Sequence, residues 1–336
     1  MLTLARESRG LTQTELGELI GFSHSNINRW EAGFISINPE AFTALQQKLD
    51  YPESFFFQVA EIFPPAFYRK RDKVDKRTLD KIEANVNIHR IHFNTLINSH
   101  SHLKTAIATI TRKEETTPQQ IAQAIRKQWK VLKGAMGDLI ELVESNGIPV
   151  FTFDFETERV DGRMTMTEAR HPVIFVNSAH LGDRQRFTLA HELGQMILYK
   201  FCTPAYKVDE LNHQANLFAA EFLLPEKEIR EDLKEPVTLQ LLSELKLKWK
   251  VSMQSLLYRA DDLGLLSYNQ KRYLLGQFNQ LQIRRREPLE LDIPKEKPVL
   301  IRELITKYKT QQKMSIKQLA AYFHLTESDF TRRYIN

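Results

Sequence analysis

The residues with the most chemical content are Phe187-Thr188-Leu189-Ala190-His191-Glu192-Leu193-Gly194-Gln195-Met196. Two histidines four apart on a helix share one face, where their imidazoles can grip one Zn²⁺. A glutamate between them can then take a proton from the metal-bound water. This chain has the first imidazole, His191, and the carboxylate, Glu192, within an apolar frame of Phe187, Leu189, Leu193 and Ile197. The second histidine position holds Gln195. A carboxamide is a poor zinc donor beside imidazole, thiolate or carboxylate. The stretch is one ligand short of a hydrolytic site.

A second set of residues suits a different chemistry. Thr12 stands three before Glu15, the spacing of a capping box. Gly21 marks a turn, and Ser23 can cap the next helix, which carries Ile27-Asn28-Arg29-Trp30-Glu31-Ala32-Gly33. Two short helices joined by a glycine turn make a helix-turn-helix, whose second helix can enter a major groove. The polar face of residues 24–29 has no packing purpose, and Arg can pair bidentately with guanine while Asn or Gln suits adenine or phosphate. A bundle used for protein contacts is the alternative. Residues 2–57 resemble the XRE (lambda-repressor-like) family. That resemblance implies double-stranded DNA as partner, with Gln13 on a phosphate and His24, Ser25 and Arg29 facing base edges. It makes Asn26 and Asn28 further contacts, Ile27 and Trp30 core, and the protein a homodimer on two-fold sites.

The elements that must position these residues fit a chain of two or three domains, since 336 residues at 42% hydrophobic content can bury more than one core. A net charge of +5 permits nucleic-acid binding without demanding it. The single cysteine, Cys202, excludes an intrachain disulfide framework and fits a reducing compartment. No apolar run reaches the roughly 18 residues of a membrane span. Met1-Leu2-Thr3-Leu4-Ala5-Arg6 leads straight into an amphipathic helical pattern, so no signal peptide is expected. The composition predicts a soluble cytoplasmic protein with no membrane partner.

The predicted fold is mainly α with a small β-sheet (α+β): a lambda-repressor-like bundle over 1–62, a helical linker or dimerisation segment over 63–115, an α+β domain around His191-Glu192 over 116–232 and a helical region over 233–336. The basic run Tyr68-Arg69-Lys70-Arg71-Asp72-Lys73 suits either DNA phosphates or a solvated linker. Residues 76–112 carry a helical apolar pattern with His89, His92, His100 and His102, which lack companion ligands and point to no metal. Helices are predicted near 118–131 and 136–146 and strands over 148–155 and 172–177. Val160-Asp161-Gly162 reads as a turn, the helix carrying His191-Glu192 follows the second strand directly, and a further helix is predicted over about 208–222. The final helices, around 315–334, have a helix-turn-helix outline too and are expected to pack on that α+β body rather than on DNA.

Gly182-Asp183-Arg184-Gln185-Arg186-Phe187-Thr188-Leu189-Ala190-His191-Glu192-Leu193-Gly194, with Ala215-Asn216-x-Phe218-Ala219-Ala220-x-x-Leu223-Leu224-Pro225, resembles the ImmA/IrrE metallopeptidase family over residues 118–225, with its zincin-like fold. The resemblance makes His191 the first metal ligand, Glu192 the general base and Gln195 the place of the second histidine. The third ligand is normally a glutamate just before the Ala-Asn pair, where this chain has Asn212 and Gln214; Tyr199 also stands where relatives often carry histidine. With both ligands replaced by neutral amides, the implied domain is a pseudopeptidase acting as sensor or as a protein- or peptide-binding module at the former active site. No cofactor is expected, and zinc enters only if His213, Glu210 or Asp209 compensates. The whole reads as a DNA-binding transcriptional regulator. The alternatives are a metalloendopeptidase that cleaves a repressor and an antitoxin or phage-resistance component.

Overall fold

The computed structural model of the chain describes residues 1–63, 69–70, 74–99, 116–131, 133–201, 208–233 and 236–335. Tyr68, Arg71–Lys73, His100, His102 and Cys202 lie outside them, as do the side chains of Tyr199 and Asp209. The fold is mainly α with one small sheet.

The N-terminal bundle has five short helices, α1 (Leu2–Ser8), α2 (Gln13–Ile20), α3 (His24–Glu31), α4 (Pro39–Leu49) and α5 (Glu53–Phe56). Local chemistry sets their ends. Thr12 and Glu15 form the capping box, with Glu15 N donating to Thr12 Oγ1 at 3.1 Å and Thr12 N to Glu15 Oε2 at 2.7 Å. Gly21 closes α2 at φ 77°, which favours glycine, and Ser23 caps α3. Leu16, Ile27 and Leu45 are wholly buried.

Next come β1 (Arg69–Lys70) and the long α6 (Lys76–Ser99), then α7 (Pro118–Gln128) and α8 (Leu139–Ser145). The sheet is completed by β2 (Val150–Phe153), β3 (Val160–Met166) and β4 (Pro172–Asn177), in the order β1-β3-β4-β2. β2 runs parallel to β4, and β3 antiparallel to both β4 and β1. The stretch from Val160 is thus a strand and not the turn read from Asp161-Gly162. Its polar residues are buried in pairs: Arg163 Nε meets Glu83 Oε1 at 3.0 Å, and Asp161 Oδ1 accepts from Arg184 Nε at 2.7 Å.

Behind the sheet stand α9 (Gly182–Phe201) and α10 (Val208–Leu223), followed by α11 (Glu226–Asp232), α12 (Leu239–Trp249), α13 (Met253–Asp262) and α14 (Tyr268–Gln280). The chain ends in α15 (Leu300–Gln312), α16 (Ile316–Tyr322) and α17 (Glu327–Tyr334). Strand alternation divides two cores across the sheet. Val150, Ile174 and Val176 join the core of α7–α14, whereas Phe151, Val173 and Phe175 join the bundle, α6 and α15–α17. The last three helices share a core with the bundle, α6 and the sheet face opposite α9, so they meet the peptidase-like body through that face and the bundle as well. Helix α6 is not a free connector. Ile82, Val86, Arg90, Phe93 and Leu96 are all buried. Its histidines serve packing: His89 Nδ1 bonds Asn85 O at 2.7 Å and stacks on Phe153, while His92 Nδ1 meets Tyr334 Oη at 2.6 Å. Among the described residues no helix is long and apolar enough to cross a membrane.

Candidate functional site

Two glycines set the position of the His191–Gln195 face. A Cβ on Gly162 of β3 would lie 2.6 Å from Thr188 Cγ2 and 3.2 Å from Glu192 Cγ, so its absence lets α9 close on the strand. A Cβ on Gly194 would lie 2.7 Å from Phe218 Cδ1, so α10 can close on the other side. Phe218 stacks in turn on Phe222, 5.4 Å between centroids. Glu192 is held against the sheet and His191 and Gln195 against α10, all three at 2% exposure or less.

The contacts between the two helices form a ladder with two rungs. Four residues advance each helix by about one turn, and α9 and α10 pair as His191 with Asn216 and Gln195 with Asn212. His191 Nδ1 lies 2.9 Å from Asn216 Oδ1. A neutral imidazole that donates Nδ1–H to this oxygen keeps its lone pair on Nε2, the tautomer suited to a metal ligand. One turn on, Gln195 Nε2 donates to Asn212 Oδ1 at 2.7 Å. Asn212 thus stands opposite the second histidine position, while Gln214, two residues on, projects from another face of α10.

This donor set does not fit a zinc ion. It offers one imidazole and two carboxamides, and those carboxamides are engaged with each other. Of the neighbours expected to compensate, Glu210 and His213 are exposed. Among the described residues no three His, Cys, Asp or Glu side chains converge as a metal site. The sequence shows Asn216 only as one member of a motif, and it offers Gly162 only as part of a turn. The signal for Asn216 is its spacing of four from Asn212; Gly162 carries no local signal, because its reason is a helix packed on the strand.

In the bundle, His24, Ser25, Asn28 and Arg29 are exposed on α3, Asn26 is half-buried, and Ile27 and Trp30 face inward. Trp30 meets Phe22 edge to face at 5.1 Å. Glu31 ties the three helices together, accepting from Arg6 Nε at 2.6 Å and from Gln13 Nε2 at 2.7 Å. Gln13, expected on a phosphate, has its amide nitrogen engaged by Glu31 in this structure. Helix α3, through Ile27 and Trp30, and helices α9 and α10, through Leu193 and Phe218, pack into different cores.

Comparison with known proteins agrees with this division. Residues 2–56 match the helix-turn-helix family model, and residues 143–261 match the IrrE N-terminal-like domain, which runs on through α12 and most of α13. The chain is similar to the radiation response metalloprotease IrrE of Deinococcus radiodurans, 38% identical over 102 residues, which cover 27% of this chain and 31% of that protein. The match thus spans about a third of the relative's length. The chain carries an XRE-type helix-turn-helix domain at its N-terminus and, behind it, a domain of the IrrE/ImmA peptidase-like family.

Proposed function

We propose that this protein is a dimeric, DNA-binding transcriptional regulator whose IrrE-like domain is a pseudopeptidase, serving as a sensor or partner-binding module. The observation that carries the reading is the Gln195–Asn212 hydrogen bond, which joins two neutral amides where a hydrolase of this family needs ligands for its metal. Without a metal to acidify water, Glu192 has no potent nucleophile to generate. The exposed polar face of α3 supports DNA as the partner. Arg29, Asn28 and Ser25 lie on its outer side, and Arg29 can reach a guanine edge bidentately.

A second reading, a metalloendopeptidase that cleaves a repressor, draws on the ligand-ready tautomer of His191 and the retained Glu192. One pair of variants separates the two. DNA bound by the wild-type chain is first selected from a random duplex pool. The regulator reading expects Arg29→Ala to weaken its binding by about 1–3 kcal/mol, and Glu192→Ala to leave it unchanged. If Glu192→Ala and chelators each abolish the biological effect while Arg29→Ala spares it, the protein acts as a protease. Zinc analysis of purified chain gives an independent answer, since one zinc per chain would contradict the amide rung.

A further inference from the structure

The C-terminal helices repeat the first three helices of the N-terminal bundle. In α1–α3 a residue with positive φ, Gly10, stands two before the cap Thr12; Gly21 stands nine after that cap and the second cap, Ser23, eleven after it. In α15–α17 the same offsets hold from the cap Ser315, with Lys313 at φ 51°, His324 at φ 53° and Thr326 as the second cap. Each first cap forms a capping box, with Glu15 in one unit and Gln318 in the other. The turns close on the same hydrogen bond, Phe22 N to Gly17 O at 2.8 Å and Leu325 N to Ala320 O at 2.9 Å. Leu16 and Leu319 match and are wholly buried, as are Ile27 and Phe330. Lys313 and His324 adopt left-handed backbone without glycine's freedom, so packing imposes these turns. Helix α17 thus carries Glu327, Ser328, Thr331 and Arg332 at the places where α3 carries His24, Ser25, Asn28 and Arg29. Serine and arginine recur, and the Arg332 side chain is 65% exposed.

Charge separates the two units. Residues 300–336 hold seven Lys or Arg and three Asp or Glu, a net +4, whereas residues 1–57 hold four and seven, a net −3. In the first unit Arg6 and Arg9 are held by Glu31 and Asp329, leaving Arg29 and Lys48. In the second, Arg302 and Lys309 lie on one stripe of α15 with Lys313 at its end, and Lys307 and Lys317 are exposed as well. Among the described residues none of these five cations is in an ion pair, and the exposed acids of the unit are Glu303 and Glu327. Affinity for a duplex comes largely from neutralising phosphates, while contacts to base edges set the sequence. The first unit has a reading face and few free cations; the second has the cations.

We propose that α15–α17 is a second helix-turn-helix unit that binds double-stranded DNA, with its lysines on phosphates and Ser328, Thr331 and Arg332 toward the groove. The two units share one core and meet at Asp329, which is buried and pairs with Arg9 at 3.4 Å as well as with Arg332 and Arg333. One chain therefore offers two adjoining DNA-binding units. The purpose of the contact rests on the regulator reading, but the contact itself does not require α3.

The test is fluorescence-anisotropy titration, with the full chain, of a labelled duplex selected by the wild type, repeated between about 50 and 200 mM salt. Each phosphate contact contributes about 0.9 to the slope of log K against log salt. The triple variant Lys309→Gln, Lys313→Gln, Lys317→Gln should flatten that slope by about two to three and weaken binding at least tenfold at the lower salt. A control with Lys127→Gln, Lys130→Gln and Lys227→Gln, all exposed around α7 and α11, removes as much charge and should keep the wild-type slope. Arg332→Gln should lower discrimination among bases of the selected site about tenfold. The proposal is overturned if the triple variant keeps the wild-type slope, if the control flattens it equally, or if Arg332→Gln keeps the wild-type base preferences. Arg29→Ala keeps the two ideas apart. If it binds as the wild type does while the triple variant fails, α3 is not the reading helix and the second unit stands; if it weakens binding while the triple variant matches the wild type, the second unit alone falls. A wild-type chain that binds no duplex overturns both.

Discussion

If the Gln195–Asn212 rung occupies the place of two metal ligands, restoring those ligands should restore the metal. The perturbation is Gln195→His with Asn212→Glu, which would set two imidazoles four residues apart on α9 opposite a carboxylate on α10. Bond lengths of about 2.0–2.1 Å and tetrahedral angles place neighbouring zinc donors roughly 3.3 Å apart. The amide atoms of the rung stand 2.7 Å apart, so the helix pair needs to open there by a fraction of an ångström. His191 already presents the correct tautomer through Asn216. Zinc that binds the folded state alone stabilises it by about 2.7 kcal/mol at one hundred times its Kd, or roughly 5 °C in Tm at about 2 °C per kcal/mol for a chain of this size. The assay is thermal unfolding with and without zinc, paired with elemental analysis. The wild type should show no zinc response and the double variant a saturable one. Either single variant should respond weakly, having too few donors. Stoichiometric zinc in the wild type, or a folded double variant indifferent to zinc, would refute the reasoning.

Packing and titration offer further tests. Gly194→Ala puts a methyl 2.7 Å from Phe218 Cδ1, an overpacking that should cost about 1–3 kcal/mol in urea denaturation; an unchanged midpoint would mean α10 is not seated as described. His89 is held to a pKa of about 3 by burial and then by Arg333, and His92 is lowered well below its ordinary value by burial, Arg333 and His89. Both folded pKa values are depressed bases, so protons favour the unfolded chain, and stability should fall as pH drops below about 6.5. The slope approaches about 1.4 kcal/mol per pH unit for each histidine down to its folded pKa. Denaturation at pH 7, 5.5 and 4.5 checks this, and His92→Phe should flatten the slope while losing the Tyr334 hydrogen bond. Asp329→Ala would leave three guanidiniums around an apolar gap and should cost about 3–5 kcal/mol, read as early loss of the C-terminal helices in hydrogen exchange.

The parts of this protein that are legible in its sequence are those whose causes are local. Thr12 with Glu15, Gly21 and Ser23 fix α2, the turn and α3 within about a dozen residues, and the structure has each cap where the spacing requires it. Helices α9 and α10 are legible because their apolar residues repeat with helical period around recognisable polar ones. What escapes is set by partners distant in sequence. β3 reads poorly as a strand because Asp161, Gly162 and Arg163 interrupt it, yet Arg184, α9 and Glu83 satisfy them. The histidines of α6 suggest chemistry, but Tyr334 and Phe153 make them packing residues. That the C-terminal helices also join the N-terminal bundle escapes for the same reason: the ion pair of Asp329 with Arg9 joins residues 320 apart, and no periodicity reports it.

That distinction bears on what the amide rung is. Had only one of the two positions lost its ligand, the histidine or glutamate left at the other would face an amide, and an uncompensated carboxylate there would cost several kcal/mol. Here both positions are neutral, and the donor of one meets the acceptor of the other at 2.7 Å with its register set by the rung above. A matched hydrogen bond between buried neutral groups contributes about 0.5–1.5 kcal/mol net, less than a bound zinc but without dependence on metal supply or on ligand deprotonation. On the proposed reading, the α9–α10 pair keeps that spacing without a metal. A module that must present a constant surface to a partner, or transmit the state of another site, gains from that independence, and a hydrolase would lose its function by it.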